Sequence, residues 1–305
     1  MACQVLDGQG LDGAGIRSLL FVPGDSAQKA DKALASDADA IILDLEDAVA
    51  PAAKAEARSI VRAVLDGCAR NSKVMFVRIN ALDSGLAVDD LAAVIGGHPW
   101  GIMLPKCAGR HDLEQLSFYL DALEAREGLA AAPIRILAIS TETAAATLSL
   151  GNTQGQAPSR LWGAMWGSED LAASLGASAN RDENGRYTFP YQSARSQCLY
   201  AASAHGIAAV DAVWTDFRDL EGLERETLEG LRDGFSAKAA IHPAQVEVIN
   251  RVLTPRPEQL EWANKVVDLL KDAGVARLDG KMVDLAHKRI ADRLLIRAAA
   301  ISGKA

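Results

Sequence analysis

The chain has 305 residues, of which 49% are hydrophobic and 24% charged, a composition typical of soluble globular proteins that excludes a disordered chain. Its 40 acidic and 32 basic residues give a net charge of −8, which argues against nucleic acid or an anionic membrane as the main partner. We find no run of the ~18–20 apolar residues that a membrane helix needs, no secretory signal and no clustered cysteines, so we expect a reduced, cytoplasmic protein.

Short apolar runs alternate with helix-like segments along most of the chain. After a Gly- and Asp-rich arm over residues 1–15, which we expect to be flexible, eight runs are predicted to be strands: 16–22, 40–45, 74–79, 101–104, 134–139, 161–165, 208–213 and 237–241. Segments with helical spacing lie between them, such as 51–65, 110–126, 193–205 and 220–232. Near-continuous apolar strands separated by helices are typical of parallel β/α units.

The number and spacing of these units favour one α/β architecture. The units between residues 16 and 253 average roughly 30 residues, and a (β/α)8 TIM barrel usually needs about 250 residues. An open doubly wound sheet is the alternative, but the even spacing favours the barrel. Residues 254–305 exceed what a barrel needs, and we predict a C-terminal helical extension or lid there, with helices over 257–273 and 285–301 joined by a turn at 279–281.

Charged residues recur where most of the predicted strands end, which is where TIM-barrel enzymes place their catalytic groups. Glu142 and Asp170 follow neighbouring strands and suit Mg²⁺, which usually takes one or two protein carboxylates. Glu46 and Asp47 are expected to hydrogen-bond metal-bound water, and the planar fork of Arg78 suits a substrate carboxylate. A zinc site is not indicated, because the sequence has no HExxH motif and no His/Cys cluster.

Helix capping is the competing interpretation of these acidic residues. Asp, Ser and Thr directly after a strand commonly cap the next helix, and acids there interact favourably with the helix dipole. Asp284, for example, directly precedes a predicted helix. Capping does not explain the basic residues Arg78 and Lys106 at the ends of two strands, so the complete set favours a functional site.

Several segments resemble, in order, the citrate lyase β-subunit-like branch of the HpcH/HpaI aldolase family. They are RSLLFVPGD at 17–25, ILDLEDAV at 42–49, VRIN at 77–80, LPK at 104–106, ETA at 142–144, GSEDL at 167–171, AIHPAQ at 240–245 and GKMVD at 280–284. The resemblance implies a (β/α)8 barrel that is trimeric or built from trimers, that uses Mg²⁺, and that cleaves or forms a C–C bond beside a thioester.

The same resemblance implies roles for individual residues. Glu142 and Asp170 match the metal ligands, and Arg78 matches the clamp for the oxo-acid carboxylate, helped by backbone N–H groups around Gly167 and Ser168. Asp284 matches a catalytic acid/base that a neighbouring subunit delivers as a lid. Two further candidates, for the phosphates of coenzyme A, are Arg17 and Lys29. Departures from the family pattern, including the polar segment 179–191, are expected to reshape the entrance to the site.

The leading functional hypothesis is a Mg²⁺-dependent carbon–carbon lyase. Its substrate would be a short β-hydroxyacyl-CoA, such as a malyl, citramalyl or citryl thioester, and its products an acyl-CoA and a 2-oxo acid. Thioesterase or malate-synthase-like activity is one alternative. Others are a citryl lyase subunit that depends on an acyl-carrier protein, and an aldolase for free hydroxy-oxo acids. A homotrimer or hexamer is expected.

Overall fold

A computed structural model describes residues 13–68, 73–129, 133–150 and 159–303. Eight parallel strands close into a barrel in chain order, because β8 pairs with β1. The strands are β1 Ser18–Pro23, β2 Ala40–Asp44, β3 Val74–Arg78, β4 Gly101–Leu104, β5 Arg135–Ile139, β6 Leu161–Met165, β7 Ala208–Asp211 and β8 Ala237–Ala240. The closed barrel confirms the predicted TIM-barrel fold and excludes the open sheet.

Helices follow the strands and cover the outside of the barrel. They are α1 Ala27–Leu34, α2 Lys54–Gly67, α3 Ala87–Val94, α4 Arg110–Glu127, α5 Ala144–Ser149, α6 Ser168–Leu175, α7 Phe189–His205, α8 Leu220–Asp233 and α9 Pro243–Leu253. Short 3-10 turns occur at Pro51–Ala53, Leu82–Ser84 and Ile95–Gly97. The predicted helices at 51–65, 110–126, 193–205 and 220–232 correspond to α2, α4, α7 and α8.

Both faces of the barrel strands are buried, which explains why the strands read as continuous apolar runs. Side chains that point into the barrel, including Leu19, Ile42, Phe76 and Met103, form one core cluster. Alternate residues point outward and pack against the helices in a second cluster that includes Ile41, Leu43, Val77 and Ile102. This alternation sends every second strand residue to a different layer and fixes the register of the barrel.

The C-terminal extension forms a small packed unit of its own. It contains α10 Pro257–Leu269, the antiparallel strands β9 Val275–Leu278 and β10 Lys281–Asp284, and α11 Leu285–Ser302. Its core contains Ala263, Val266, Leu270, Val283 and Ala291. The two predicted helices are present, but the segment between them is a β-hairpin rather than a simple turn.

The extension is attached at the N-terminal ends of the barrel strands. Arg297 of α11 donates a hydrogen bond to the backbone carbonyl of Ser236, directly before β8. The segment that precedes β1 packs at the same end of the barrel, where Gly13 lies against Trp162 and Ile16 is only 2% exposed. Most of the predicted N-terminal arm, residues 1–12, lies outside the described residues. Within the described part of the chain, no helix is long and apolar enough to cross a membrane.

Candidate active site

Polar residues that end or follow the barrel strands line one cleft of about 280 Å³ at the C-terminal end of the barrel. The strand register places Asp44 at the end of β2 beside Arg78 at the end of β3. The polar side chains of the lining are those of Asp44, Arg78, Glu142, Ser168, Glu169 and Asp170. Its apolar side chains include those of Phe21, Ile139, Met165, Val213 and Ile241. The cleft therefore brings together five of the predicted site residues: Arg78, Glu142, Gly167, Ser168 and Asp170.

Arg78 is held rigidly by two buried carboxylates. Its Nε and Nη2 donate to Asp44 Oδ1 and Oδ2 at 2.7 and 2.6 Å, and its Nη1 lies 3.0 Å from Glu46 Oε2. Burial alone would lower the pKa of Arg78, but the hydrogen bonds and charges of Asp44 and Glu46 outweigh it and raise the pKa. A guanidinium has five N–H donors, of which Asp44 uses two. Arg78 is thus a permanently charged, oriented donor in the cleft wall.

Lys106 was noted at a strand end but was given no role from the sequence, and it lies at the centre of the carboxylate cluster. It follows β4 with a left-handed φ of 51°. Its Nζ bonds to Glu46 and lies 3.7 Å from Asp47 and 3.8 Å from Asp170. Burial would lower the pKa of Lys106, but the bond and the charge of Glu46 outweigh it and raise the pKa. Lys106 therefore remains a cation that partly neutralises these carboxylates.

Glu142 and Asp170 occupy different environments in the cleft. Glu142 is 2% exposed and accepts a hydrogen bond from the backbone N–H of Lys106, whereas the Asp170 side chain is 36% exposed. Burial, reinforced by the charges of Asp170 and Glu46, outweighs that hydrogen bond and raises the pKa of Glu142 to about 8. The nearby charge of Lys106 thus only partly compensates the cost of ionising Glu142.

A hard divalent cation fits this donor set. Five carboxylates, those of Asp44, Glu46, Asp47, Glu142 and Asp170, surround two cations, Arg78 and Lys106. The described residues contain no group of three His, Cys, Asp or Glu side chains arranged as metal ligands. Mg²⁺ needs no such group, because it commonly binds one or two carboxylates and retains several waters. Glu142 and Asp170 would hold it, since both line the open cleft.

The first turn of α6 forms one wall of the cleft. The first N–H groups of a helix have no intrahelical partner, and at α6 no side chain caps them. The N–H of Gly167 is not among the free donors, because it donates to Thr141 Oγ1 at 3.0 Å. Ser168 is buried, and its hydroxyl contacts Glu169 Oε1 at 3.1 Å and the Tyr187 hydroxyl at 3.3 Å. An anionic group in the cleft would therefore meet the N–H groups of Ser168 and Glu169.

The polar segment after α6 supports this turn from behind. The Arg181 guanidinium lies 3.6 Å from the centre of the Tyr187 ring and 4.5 Å from that of Trp214, and it pairs with Glu226 at 2.7 Å. Tyr187 in turn packs edge-on against Trp166, directly before Gly167. No sequence motif indicated Tyr187, whose contact with Ser168 depends on how the segment folds back.

Four other predicted site residues lie at or outside the edge of the cleft. Glu46 is buried against Arg78 and Lys106, and the Asp47 side chain is 59% exposed. Lys29 is exposed on α1, which follows β1 at the cleft end of the barrel. Asp284 does not line the cleft; its carboxylate caps α11 by accepting hydrogen bonds from the N–H groups of Ala286 and His287.

Arg17 lies at the end of the barrel opposite the cleft. It was expected to contact the phosphates of coenzyme A, and the structure does not place it where it could do so. It directly precedes β1, so it belongs to the N-terminal ends of the strands. Its guanidinium binds Asp39 at 2.8 Å and the hydroxyl of Thr254 at 2.8 Å. Arg17 is therefore committed to closing the base of the barrel around β1 and β2 and is not brought to the cleft.

A closed (β/α)8 barrel with a charged cleft at the C-terminal ends of its strands defines a TIM-barrel enzyme. The sequence model that describes the HpcH/HpaI aldolase/citrate lyase family matches residues 17–243 of this chain. The chain belongs to this family, which confirms the predicted family and the predicted enzyme class, a carbon–carbon lyase.

Curated and solved relatives match nearly the whole chain. A (3S)-malyl-CoA thioesterase from Cereibacter sphaeroides is 35% identical over 94% of this chain and 95% of its own. The mitochondrial citramalyl-CoA lyase of Rattus norvegicus is 31% identical over 94% of this chain and 87% of its own. The crystal structure of CitE from Mycobacterium tuberculosis with magnesium, acetoacetate and coenzyme A superimposes with a TM-score of 0.76 at 34% identity, covering 94% of this chain and 99% of that one.

Proposed function

We propose that this protein is a Mg²⁺-dependent lyase that cleaves or forms the C–C bond of a short β-hydroxyacyl-CoA. The observation that carries this proposal is the meeting of Arg78, Glu142 and Asp170 in one cleft. A cation site beside a fixed guanidinium suits a substrate that places a hydroxyl next to a carboxylate. The magnesium and coenzyme A bound to CitE of Mycobacterium tuberculosis support the same chemistry.

In this proposal the residues of the cleft bind and orient the oxo-acid half of the substrate. Arg78 and the first N–H groups of α6 hold its carboxylate, and the buried pairs with Asp44 and Glu46 keep Arg78 in place. Glu142 and Asp170 hold Mg²⁺, which when bound supplies Lewis-acid stabilisation of developing negative charge on oxygen. Lys106 keeps Glu46 in place and limits repulsion among the carboxylates.

The proposed cleavage is a retro-Claisen reaction. The β-hydroxyl releases its proton to solvent water, its oxygen becomes the carbonyl oxygen of the 2-oxo acid, and the C–C bond breaks toward the thioester. The electron pair of that bond forms the thioester enolate, whose carbon then takes a proton to give the acyl-CoA. Asp284 is the proposed group that exchanges this proton with the enolate carbon.

A second copy of the chain would have to supply Asp284. This residue does not line the cleft, and the helix that it caps is bound through Arg297 to the opposite end of its own barrel. We therefore propose a homotrimer, or a hexamer built from trimers, in which the extension of one subunit covers the cleft of the next. Lys29, exposed at the cleft end of the barrel, is the remaining proposed contact for the phosphates of coenzyme A.

Calorimetric titration tests the proposed binding mode. Metal-stripped protein is titrated with oxaloacetate, pyruvate or glyoxylate, with and without Mg²⁺, and the titration is repeated on Glu142→Ala and Asp170→Ala. We expect Mg²⁺-dependent binding of one oxo acid that is lost in both variants. Binding that is independent of Mg²⁺, or no binding by the wild-type protein, would contradict the proposal.

Thioester hydrolysis is the second candidate, favoured by the similarity to curated malyl-CoA thioesterases. In that reaction water attacks the thioester carbonyl, so a free thiol and a hydroxy acid form and no oxo acid is released. A subunit acting on an acyl-carrier protein is the third candidate. It would be inactive on coenzyme A esters and would co-purify with the carrier. Analysis of the products separates all three candidates.

A further inference from the structure

A second, basic cavity lies at the end of the barrel opposite the cleft. Its volume is about 760 Å³, and it is lined by residues at the starts of β5 to β8 and by α11. Four arginines contribute to the lining: Arg135, Arg160, Arg293 and Arg297. None of the lining residues that the structure describes is acidic. Such a local excess of positive charge is unusual in a protein whose net charge is −8.

Two of these arginines are already engaged by other side chains. Arg160 binds Glu124 at 2.9 Å and also pairs with Asp121, so its charge is neutralised. The guanidinium of Arg135 lies over the ring of Trp100 at 4.3 Å. Arg135 and Arg160 thus form a wall of the cavity rather than its centre of charge.

Arg297 is half-buried and forms no ion pair with any carboxylate that the structure describes. Its Nη2 donates to the Ser236 carbonyl at 2.5 Å, while its Nε is shielded from solvent and has no hydrogen-bond partner in the described structure. Burial, together with the nearby charge of Arg17, lowers the pKa of Arg297 to about 10. The charge of Asp39 acts on Arg297, but this carboxylate already accepts three hydrogen bonds from Arg17, at 2.8, 2.8 and 3.0 Å. A half-buried charge with an unused, shielded donor is costly unless an anion near the guanidinium compensates it.

Arg293 lies one helical turn before Arg297. Residues four apart face the same side of a helix with Cβ atoms roughly 6 Å apart. Arg293 is exposed and forms no ion pair with any residue that the structure describes. Attaching α11 to β8 uses one donor of Arg297, the bond to the Ser236 carbonyl. That attachment does not explain why a second arginine, Arg293, lies on the same side of the helix and lines the same cavity.

We propose that this cavity binds a diphosphate group through Arg293 and Arg297. Guanidinium forks match the geometry of phosphate oxygens, and two of them one turn apart suit a ligand with two linked phosphates. The volume of the cavity leaves room for a group attached to the diphosphate. This site is separate from the cleft, because none of its lining residues belongs to the lining of the cleft.

Titration calorimetry with inorganic pyrophosphate, in EDTA and without coenzyme A, tests the site. We expect saturable binding by the wild-type protein and at least tenfold weaker binding by Arg293→Met and by Arg297→Met. Arg289→Met is the matched control, since Arg289 is exposed on the same helix and does not line the cavity. Its affinity is expected to stay within about twofold of the wild type, because it removes the same charge away from the site.

Three results would overturn the proposal: no binding by the wild type, equal weakening by Arg289→Met, or unchanged binding by Arg293→Met. Arg293 is exposed, so its substitution tests the site even where Arg297→Met unfolds. Glu142→Ala must bind pyrophosphate like the wild type; tighter binding there, as expected when a carboxylate is removed from an anion site, would place the anion in the cleft instead. A parallel titration with ADP identifies the source, because tighter binding of ADP assigns a nucleotide and equal binding assigns inorganic diphosphate.

Discussion

At the residue scale, Gly167 leaves the space that the Glu142 side chain occupies. A Cβ at this position would lie 2.6 Å from Glu142 Cγ and 3.5 Å from Cδ. The backbone φ of −119° at Gly167 suits any residue, so alanine would be excluded by this contact and not by backbone strain. The orientation of the buried carboxylate therefore depends on the absence of a side chain one strand away.

We predict that Gly167→Ala lowers kcat/KM by roughly 100-fold, because a displacement of about 1 Å in a catalytic group costs this much. Titration with Mg²⁺ should show weakened metal binding in the same variant. Gly274→Ala is the control, since a Cβ there would meet no atom within 4 Å. Activity of Gly167→Ala within about threefold of the wild type would contradict the importance of the Glu142 position.

The rule that catalytic groups lie where barrel strands end predicted the site residues whose positions depend on the barrel alone. Arg78, Glu142, Gly167, Ser168 and Asp170 line the cleft because each ends a strand or lies within five residues after one. The role of Lys106 needed the structure, since its contacts depend on a left-handed φ that the sequence Leu-Pro-Lys does not reveal. Tyr187 lies 19 residues beyond Ser168 in the chain, and only the packing of segment 179–191 brings the two hydroxyls together.

At the element scale, the hairpin of the extension was missed because its strands are only four residues long and mostly exposed. A clear apolar alternation is therefore lacking, and the turn residues are the remaining signal. Asp279 and Gly280 both have positive φ, 48° and 79°, as a two-residue hairpin turn requires. From the sequence, the Asp-Gly pair was recognised as a turn. The pair alone does not show whether the turn joins two helices or two strands of a hairpin.

Asp284 has an observed role, capping the N-terminus of α11, and a proposed role, exchanging a proton with the enolate carbon. Asparagine caps helices about as well as aspartate, but it cannot exchange a proton at the enolate carbon. We predict that Asp284→Asn leaves the free energy of unfolding unchanged while lowering kcat by at least ~100-fold. Asp284→Ala should lose activity and also lower the free energy of unfolding, because alanine cannot cap the helix. Urea unfolding and a steady-state assay measure both, and an active Asp284→Asn would reduce Asp284 to a helix cap.

A buried ion cluster ties β7, β8, α7 and α8 together behind the cleft. Asp211 accepts from the Trp166 indole at 2.7 Å and pairs with Arg195 at 3.0 Å and Lys238 at 3.5 Å. Burial would raise the pKa of Asp211, but Lys238 and Arg195 outweigh burial and lower it to about 2. Because the pKa of an unfolded aspartate is about 3.9, this carboxylate stabilises the fold above pH ~4, and its contribution disappears as the pH falls toward 2.

We predict that Asp211→Asn lowers the free energy of unfolding by roughly 3 kcal/mol at pH 7, since it leaves Arg195 without its buried partner and Lys238 with Glu226 alone. The difference between the wild type and the variant should shrink by about 2 kcal/mol between pH 4 and pH 2. Denaturant unfolding across this range measures it. Asp268→Asn, on the exposed face of α10, is the control and should match the wild type throughout. A difference that does not change with pH would contradict the low pKa.

At the scale of the whole molecule, the proposed lid makes each active site a joint product of two subunits. Glu142→Ala removes a residue of the cleft, and Asp284→Asn removes the residue that the neighbour would supply. In a randomly mixed ring, about one site in four combines an intact cleft with an intact neighbouring Asp284.

We therefore predict that two inactive variants, Glu142→Ala and Asp284→Asn, recover about a quarter of wild-type activity when they are dissociated, mixed in equal amounts and reassembled. Each variant treated alone is the control and should remain inactive. A mixture that stays inactive, although mass spectrometry shows mixed oligomers, would mean that each cleft uses the Asp284 of its own chain or none.

Product analysis with the wild-type protein tests the proposed activity most directly. The protein is incubated with Mg²⁺ and malyl-, citramalyl- or citryl-CoA, and the 2-oxo acid, acyl-CoA and free coenzyme A are quantified by mass spectrometry. EDTA and Glu142→Ala serve as controls. We predict equimolar oxo acid and acyl-CoA from at least one thioester, lost in both controls. Release of free coenzyme A with no oxo acid from any of the three would contradict the lyase and assign a thioesterase.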